Sequence, residues 1–98
     1  MYINIDANFV VSVADGDNLK EFSIKAAPNV DVGKVLDAMG EPAEEGHYWL
    51  SADSVIELSG RGSEPDWVAN FWTMLEAVQK YGFSDIANRR VKAHVESE

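Results

Sequence analysis

The sequence contains no cysteine, only two histidines and only three prolines. Without cysteine the chain has no disulfides, no thiol nucleophile and no thiolate metal ligands. No apolar run approaches the roughly 20 residues that a membrane-spanning helix needs, and the first residues do not place an apolar stretch after a basic one, as secretory signals do. These features predict a cytoplasmic protein that does not use a membrane as a partner.

Positive charge is also scarce. Eight lysine and arginine residues stand against seventeen aspartate and glutamate residues, which gives a net charge of −9 at pH 7. Phosphate backbones repel such a chain, so nucleic acid is not expected as a partner. An acidic field of this size favours association with a basic protein instead.

The chain of 98 residues is 46% hydrophobic and 26% charged, which is typical of a globular protein. A chain of this length can bury one modest core but not two. No repeat, low-complexity tract or internal linker interrupts it. We therefore expect one compact domain over residues 1–98.

The N-terminal part alternates between apolar and polar residues. The alternation over residues 3–13 predicts one long strand, or two collinear strands broken near residues 6–8. Residues 15–18 have the Asp, Gly and Asn residues of a turn, and residues 20–26 alternate again. Together these patterns predict an antiparallel hairpin with its turn at residues 15–18.

A short helix is predicted next. Asp31 is a plausible N-cap, and apolar residues at helical spacing follow it from Val32 to Met39. Gly40 stands where a helix-ending glycine is expected, and Pro42 prevents continuation.

A strand is predicted over residues 47–50. Residues 52–59 fit either a helix or a strand, and the polar residues 51–54 favour a helix because they can cap one. The main helix is predicted at about residues 64–81, capped by Ser63 and ended by Gly82.

The final strand is predicted at residues 90–96, followed by frayed residues 97 and 98. Its mixed charges suggest an exposed sheet edge. The predicted fold class is α+β: an antiparallel sheet of three or four strands, with the helix of about 64–81 packed across one face and one or two short helices. The predicted order is β-β-α-β-(α)-α-β.

The long helix suggests an interaction surface. Its apolar side chains cover nearly half of its circumference, whereas a helix on a sheet needs a stripe only somewhat wider than 100°. Either other parts of the chain cover the remainder, or one edge borders a ligand pocket, a protein partner or a second copy in a homodimer. The candidate binding residues are Trp49, Arg61, Trp67, Trp72 and Met74.

The loop around Arg61 offers a second interpretation, since glycines on both sides of Arg61 precede a helix start that could contact an anion. Glu64 and Asp66 occupy that same first turn and would repel an anion, so an ordinary turn and cap is favoured.

His47 and His94 are the only histidines. A zinc site would have to bring both together with one or two carboxylates, and no local pattern supplies a nucleophile or an orienting group for catalysis. No catalytic residue, metal site or cofactor is therefore predicted.

Two functional interpretations remain. The first is a non-catalytic acidic protein-binding module, an inhibitor-like or regulatory partner of a basic protein. The alternative is a small ligand-binding domain or enzyme whose pocket lies between the sheet and the long helix, walled by Trp49, Trp67 and Trp72. The missing catalytic motifs favour the first interpretation, and the surplus of aromatic side chains keeps a small-molecule ligand possible.

Overall fold

A computed structural model describes residues 1–97 of the chain. Within this range the chain forms seven strands and three helices. The strands are β1 Tyr2–Ile5, β2 Val11–Ala14, β3 Ser23–Ala26, β4 Gly40–Pro42, β5 His47–Ser51, β6 Ser84–Asp85 and β7 Arg90–Ser97. The helices are α1 Val32–Val35, α2 Ala52–Ser59 and α3 Pro65–Gln79.

The fold is α+β, built on one mixed sheet. Its strand order is β2-β1-β3-β7-β5-β4, and the short β6 pairs with the start of β7. The β1–β3 and β3–β7 pairs are parallel, and the other pairs are antiparallel. The predicted antiparallel sheet of three or four strands is therefore wrong, and so is the predicted order of elements.

The first predicted strand is in fact a hairpin. The Asp6 carboxylate accepts hydrogen bonds from the backbone N–H groups of Asn8 (2.8 Å) and Val10 (3.0 Å), which reverses the chain. The register then pairs Ile5 with Val11. Because these residues are an even number of positions apart, both point to the same face, and the alternation runs through the turn unchanged. One long strand and this hairpin therefore have the same alternation of apolar and polar residues, and the sequence pattern does not distinguish them.

The predicted hairpin at residues 15–18 is wrong as well. The turn is present, with the Asn18 N–H bonded to the Asp15 carbonyl, but β3 pairs with β1 instead of β2. The loop passes around the start of β1, where the Met1 ammonium group donates to the carbonyls of Asn18 and Glu21. Strand β1 therefore lies between β2 and β3, and burial lowers the pKa of the Met1 ammonium group.

The last strand lies in the middle of the sheet. β7 is bordered by β3 on one side and by β5 on the other, so its predicted position at an edge is wrong. Val91 and Ala93 are buried, whereas Lys92 and His94 point to the opposite face. The charges of β7 therefore mark a solvated face of the sheet and not an edge. Of the two residues predicted to fray, Ser97 belongs to β7 and Glu98 lies outside the described residues.

The helices agree better with the sequence. α2 is confirmed as a helix, since Ser51 caps it by accepting the Ser54 N–H and Gly60 ends it at φ +72°. α1 begins at the predicted cap, Asp31, but it spans four residues only. Gly40 belongs to β4, where a Cβ atom would overlap the carbonyl oxygen of Trp49. Gly40 allows the backbones of β4 and β5 to approach closely, and the prediction that it ends a helix is wrong.

α3 begins after Glu64, which makes no side-chain capping bond, so the predicted cap at Ser63 is wrong. Gly82 follows the helix at φ +83°, as predicted. No helix among residues 1–97 is long and apolar enough to cross a membrane.

The helices pack on one face of the sheet. Phe71 and Leu75 of α3 are fully buried, and the buried side chains form a single cluster. Its members in the sheet alternate with half-exposed residues; they are Ile3, Ile5, Ile24, Ala26, Tyr48, Leu50, Val91 and Ala93. The opposite face, called here the open face, carries polar, charged and aromatic side chains such as Lys25, Trp49 and Lys92.

Candidate functional site

One long edge of α3 is closed by the chain itself. The ring of Trp72 packs edge-to-face on Phe71, with ring centroids 6.1 Å apart, and the guanidinium of Arg89 lies 4.6 Å from the Trp72 ring centre. Arg89 in turn donates two hydrogen bonds to Asp53, of 2.8 and 2.7 Å. These bonds hold the pKa of the Asp53 carboxyl below its usual range. A charged pair from α2 and the loop before β7 thus covers an aromatic side chain.

The other long edge of α3 borders a groove. Two cavities of about 500 and 570 Å³ meet where both are lined by Asp17, Leu19 and Asn70. A narrower cavity of about 90 Å³ continues from Met74 and Val78 towards Phe83 and Lys92. We call this depression the α3 groove; its defining residues are Asp17, Leu19, Asp66, Asn70, Met74 and Val78.

The floor of the α3 groove is apolar. Leu19, Met74 and Val78 are half-buried, and Leu19 and Met74 pack against the core cluster. Asn70 lies exposed at the rim. The lining runs along α3 from Asp66 to Val78, a distance of about 18 Å at the rise of an α-helix. A groove of this length matches a short helix or strand of another protein.

One end of the groove is acidic. Arg61 forms ion pairs with Asp17 and Glu64, the latter at 2.9 Å, and its guanidinium lies 5.4 Å from the ring centre of Trp67. The carboxylates of Glu64 and Asp17 raise the pKa of Arg61 further above its ordinary value. Asp66 adds a third carboxylate to the lining. Arg61 is therefore engaged by its own chain, and this end presents more negative than positive charge.

The predicted binding residues lie in three different parts of the structure. Arg61, Trp67 and Met74 line the α3 groove. Trp67 is nonetheless only 5% exposed, since it stacks on Phe71 and its indole N–H donates to the Gly16 carbonyl at 2.8 Å.

Trp72 lies on the closed edge of α3, and Trp49 lies on the open face. Arg90 and Lys92 stand 4.2 and 5.0 Å from the Trp49 ring centre. Trp49, Trp67 and Trp72 do not converge on one pocket.

Sequence reasoning missed the loop wall of the groove. Asp17 and Leu19 belong to the segment that was predicted as a hairpin turn at the end of the sheet. Leu19 is a single apolar residue among polar ones, and its burial depends on where β3 pairs. Leu19 could have been identified as a groove residue only by knowing that the loop before β3 runs along α3.

A separate cleft lies beside Trp49. It has a volume of about 510 Å³ and is also lined by Glu41, Arg89 and Arg90. Arg90 is paired with Glu41 (2.9 Å) and with Asp85 (3.3 Å). The cationic groups of the cleft are therefore neutralised by neighbouring carboxylates.

No protein-family model, no curated protein and no solved structure matches this chain.

Proposed function

We propose that this chain is a non-catalytic, acidic, cytoplasmic protein-binding module that holds a basic amphipathic segment of a partner protein in the α3 groove. The observation that carries the proposal is the apolar floor of Leu19, Met74 and Val78 joined to the acidic end at Asp17 and Asp66. An inhibitor-like or regulatory partner of a basic protein would act in this way.

Each half of the groove has its own role in this proposal. Burial of apolar side chains on the floor supplies most of the affinity. The carboxylates at one end, together with the net charge of −9, accelerate the encounter with a basic partner and orient it. Because these carboxylates are solvated, their contribution falls as salt is added.

The proposal can be tested with a designed peptide of fourteen residues that places leucines at helical spacing among lysines. Binding is measured by fluorescence anisotropy against Asp66→Lys, and against Glu76→Lys as a matched control on the same helix outside the groove lining. We expect Asp66→Lys to weaken binding by about tenfold and Glu76→Lys by less than about twofold. Equal losses in both variants would show that only the overall charge matters.

The peptide itself provides two further controls. Replacing its leucines by serine keeps the charge and removes the apolar contact, and replacing its lysines by glutamate reverses the charge. Both changes should abolish binding if the groove binds a segment that is both apolar on one side and basic. A serine peptide that binds as well as the leucine peptide would contradict a role for the apolar floor.

A second copy of this chain is an alternative occupant of the groove, since a homodimer was one of the alternatives that the sequence left open. Two chains of charge −9 repel each other. The buried Trp67 and the covered Trp72 also reduce the apolar surplus that motivated this expectation. Sedimentation at micromolar concentrations tests it: a dimer that dissociates in Met74→Glu would assign the groove to self-association.

A small-ligand site is the second candidate function, and the cleft beside Trp49 favours it through its volume of about 510 Å³. The space between the sheet and α3 is filled, because Phe71 and Leu75 are fully buried. A fragment screen read by Trp49 fluorescence would test this candidate. Binding that is lost in Glu41→Ala and kept in Met74→Ala would place a ligand in the cleft and not in the groove.

A further inference from the structure

The two histidines of the chain lie side by side on the open face. His47 in β5 and His94 in β7 are directly opposite each other in the strand register, although 47 positions separate them in the sequence. Their ring centroids are 5.3 Å apart, with the ring planes at 60°. Opposed residues on neighbouring antiparallel strands are held at a fixed spacing by the sheet, so this pair is positioned by rigid elements.

The His47 ring is oriented by a backbone hydrogen bond. Its Nδ1 atom lies 3.2 Å from the carbonyl oxygen of Glu45, and a carbonyl can only accept, so Nδ1 carries the proton. The lone pair of the neutral ring is then on Nε2. Metal-binding histidines commonly have this arrangement, with one ring nitrogen bonded to a carbonyl and the other free to coordinate.

A lysine on the same face as the histidine pair is already paired with a carboxylate. Lys92 stands two residues before His94 on the same face, and its ammonium group donates to Glu44 at 2.6 Å. This hydrogen bond also lowers the pKa of the Glu44 carboxyl, which keeps it ionised at neutral pH. The Lys92–Glu44 pair therefore carries no net charge beside the two histidines.

We propose that His47 and His94 together bind a divalent transition metal ion, Cu(II) in preference to Ni(II) or Zn(II), with water in the remaining positions. Imidazole nitrogen suits all three ions, and among them the affinity order places Cu(II) first. A closed zinc site needs four ligands, and no group of three or more histidine, aspartate or glutamate side chains within residues 1–97 could hold a metal. This proposal departs from the sequence analysis, which predicted no metal site. The site lies on the open face and does not depend on the α3 groove.

The test is a titration of the purified chain with CuCl₂ at pH 7.5 in a non-coordinating buffer, followed by calorimetry and electron paramagnetic resonance. Two-point binding predicts that His47→Asn and His94→Asn each lower the copper affinity by at least about tenfold, because either change removes the chelate. The spectrum of the wild-type complex should show two coordinated nitrogens, and each variant should show one. Because the sequence has no third histidine, the double variant measures the background.

Circular dichroism spectra establish that each variant keeps the fold before its affinity is compared. A saturating amount of copper should also raise the unfolding temperature of the wild type and not of the double variant, since the unfolded chain does not hold the two rings together. Single variants that bind copper as tightly as the wild type would overturn the proposal, because each ring would then bind alone. A wild type that binds no more copper than the double variant would overturn it as well.

Discussion

The two long edges of α3 carry similar apolar side chains and differ in what covers them. On one edge Trp72 is covered by the Arg89–Asp53 pair. On the other, Met74 and Val78 face a groove whose far wall is a loop, and one end of that groove is acidic. An apolar arc wider than the sheet can therefore be closed at one edge by a charged pair of the same chain and left accessible at the other. Both edges of α3 carry apolar side chains, so the sequence of the helix does not show which edge is covered. The contacts made by neighbouring segments of the chain decide this.

The largest expected effect lies between the two edges, at Phe71. This side chain is fully buried and contacts both Trp67 and Trp72. Phe71→Ala should lower the free energy of unfolding by about 3–5 kcal/mol, because it removes a large buried ring and leaves a cavity. Urea denaturation measures the loss, and the exposed Thr73→Ala on the same helix is the control. A loss below about 1 kcal/mol would show that α3 is not anchored at its centre.

A smaller effect is expected from opening the closed edge. Asp53→Asn removes the charge that holds Arg89 over Trp72, and should cost less than about 1 kcal/mol because both charged groups are more than half exposed. The sharper readout is acrylamide quenching in a Trp49→Phe background, where the other remaining tryptophan, Trp67, is buried. Quenching of Trp72 should increase.

The matched control for this edge is Glu57→Gln, which changes the same charge elsewhere on α2. It should leave the quenching unchanged. If Asp53→Asn also leaves it unchanged, the ion pair does not cover Trp72 in solution.

The smallest effect is the pH dependence of the closed edge. The Arg89 hydrogen bonds lower the pKa of Asp53 in the folded state, so the folded chain binds fewer protons there than the unfolded chain. This stabilisation is present above the unfolded pKa of about 3.9 and is lost as the pH falls through the lower folded pKa. Between pH 6 and pH 3 the wild type should therefore lose a few tenths of a kcal/mol more than Asp53→Asn. Parallel urea denaturation curves for the two proteins at both pH values measure this difference, and equal losses would contradict the ion-pair account.

The sequence predicted local structure better than strand pairing. The predicted helix of about 64–81 corresponds to α3, Pro65–Gln79, and Gly82 follows its end as predicted. The pairing of strands could not be predicted because the same alternation of apolar and polar residues fits more than one pairing. Ile5 and Val11 keep one alternation through a hairpin, and β3 pairs with β1 and not with β2.

The candidate sites were likewise predicted where they depend on local sequence and missed where they depend on strand pairing. Arg61, Trp67 and Met74 were identified from the surplus of apolar residues on the helix and the glycine-flanked loop before it, and they line the groove. The opposite wall was missed because the loop that carries Leu19 reaches α3 only through the position of β3. The histidine pair was missed because the register between β5 and β7 creates it.

The most direct test of the proposed function is to map the basic leucine–lysine peptide onto the chain by amide chemical shifts in a two-dimensional NMR titration. The account predicts that the amides of Leu19, Asn70 and Met74, on the groove side of α3, shift with a common dissociation constant. The amides of Asp53 and Trp72, on the closed edge, should stay unchanged. Shifts confined to the closed edge or the open face, or spread over all acidic residues without saturation, would contradict the assignment of the groove as the binding site.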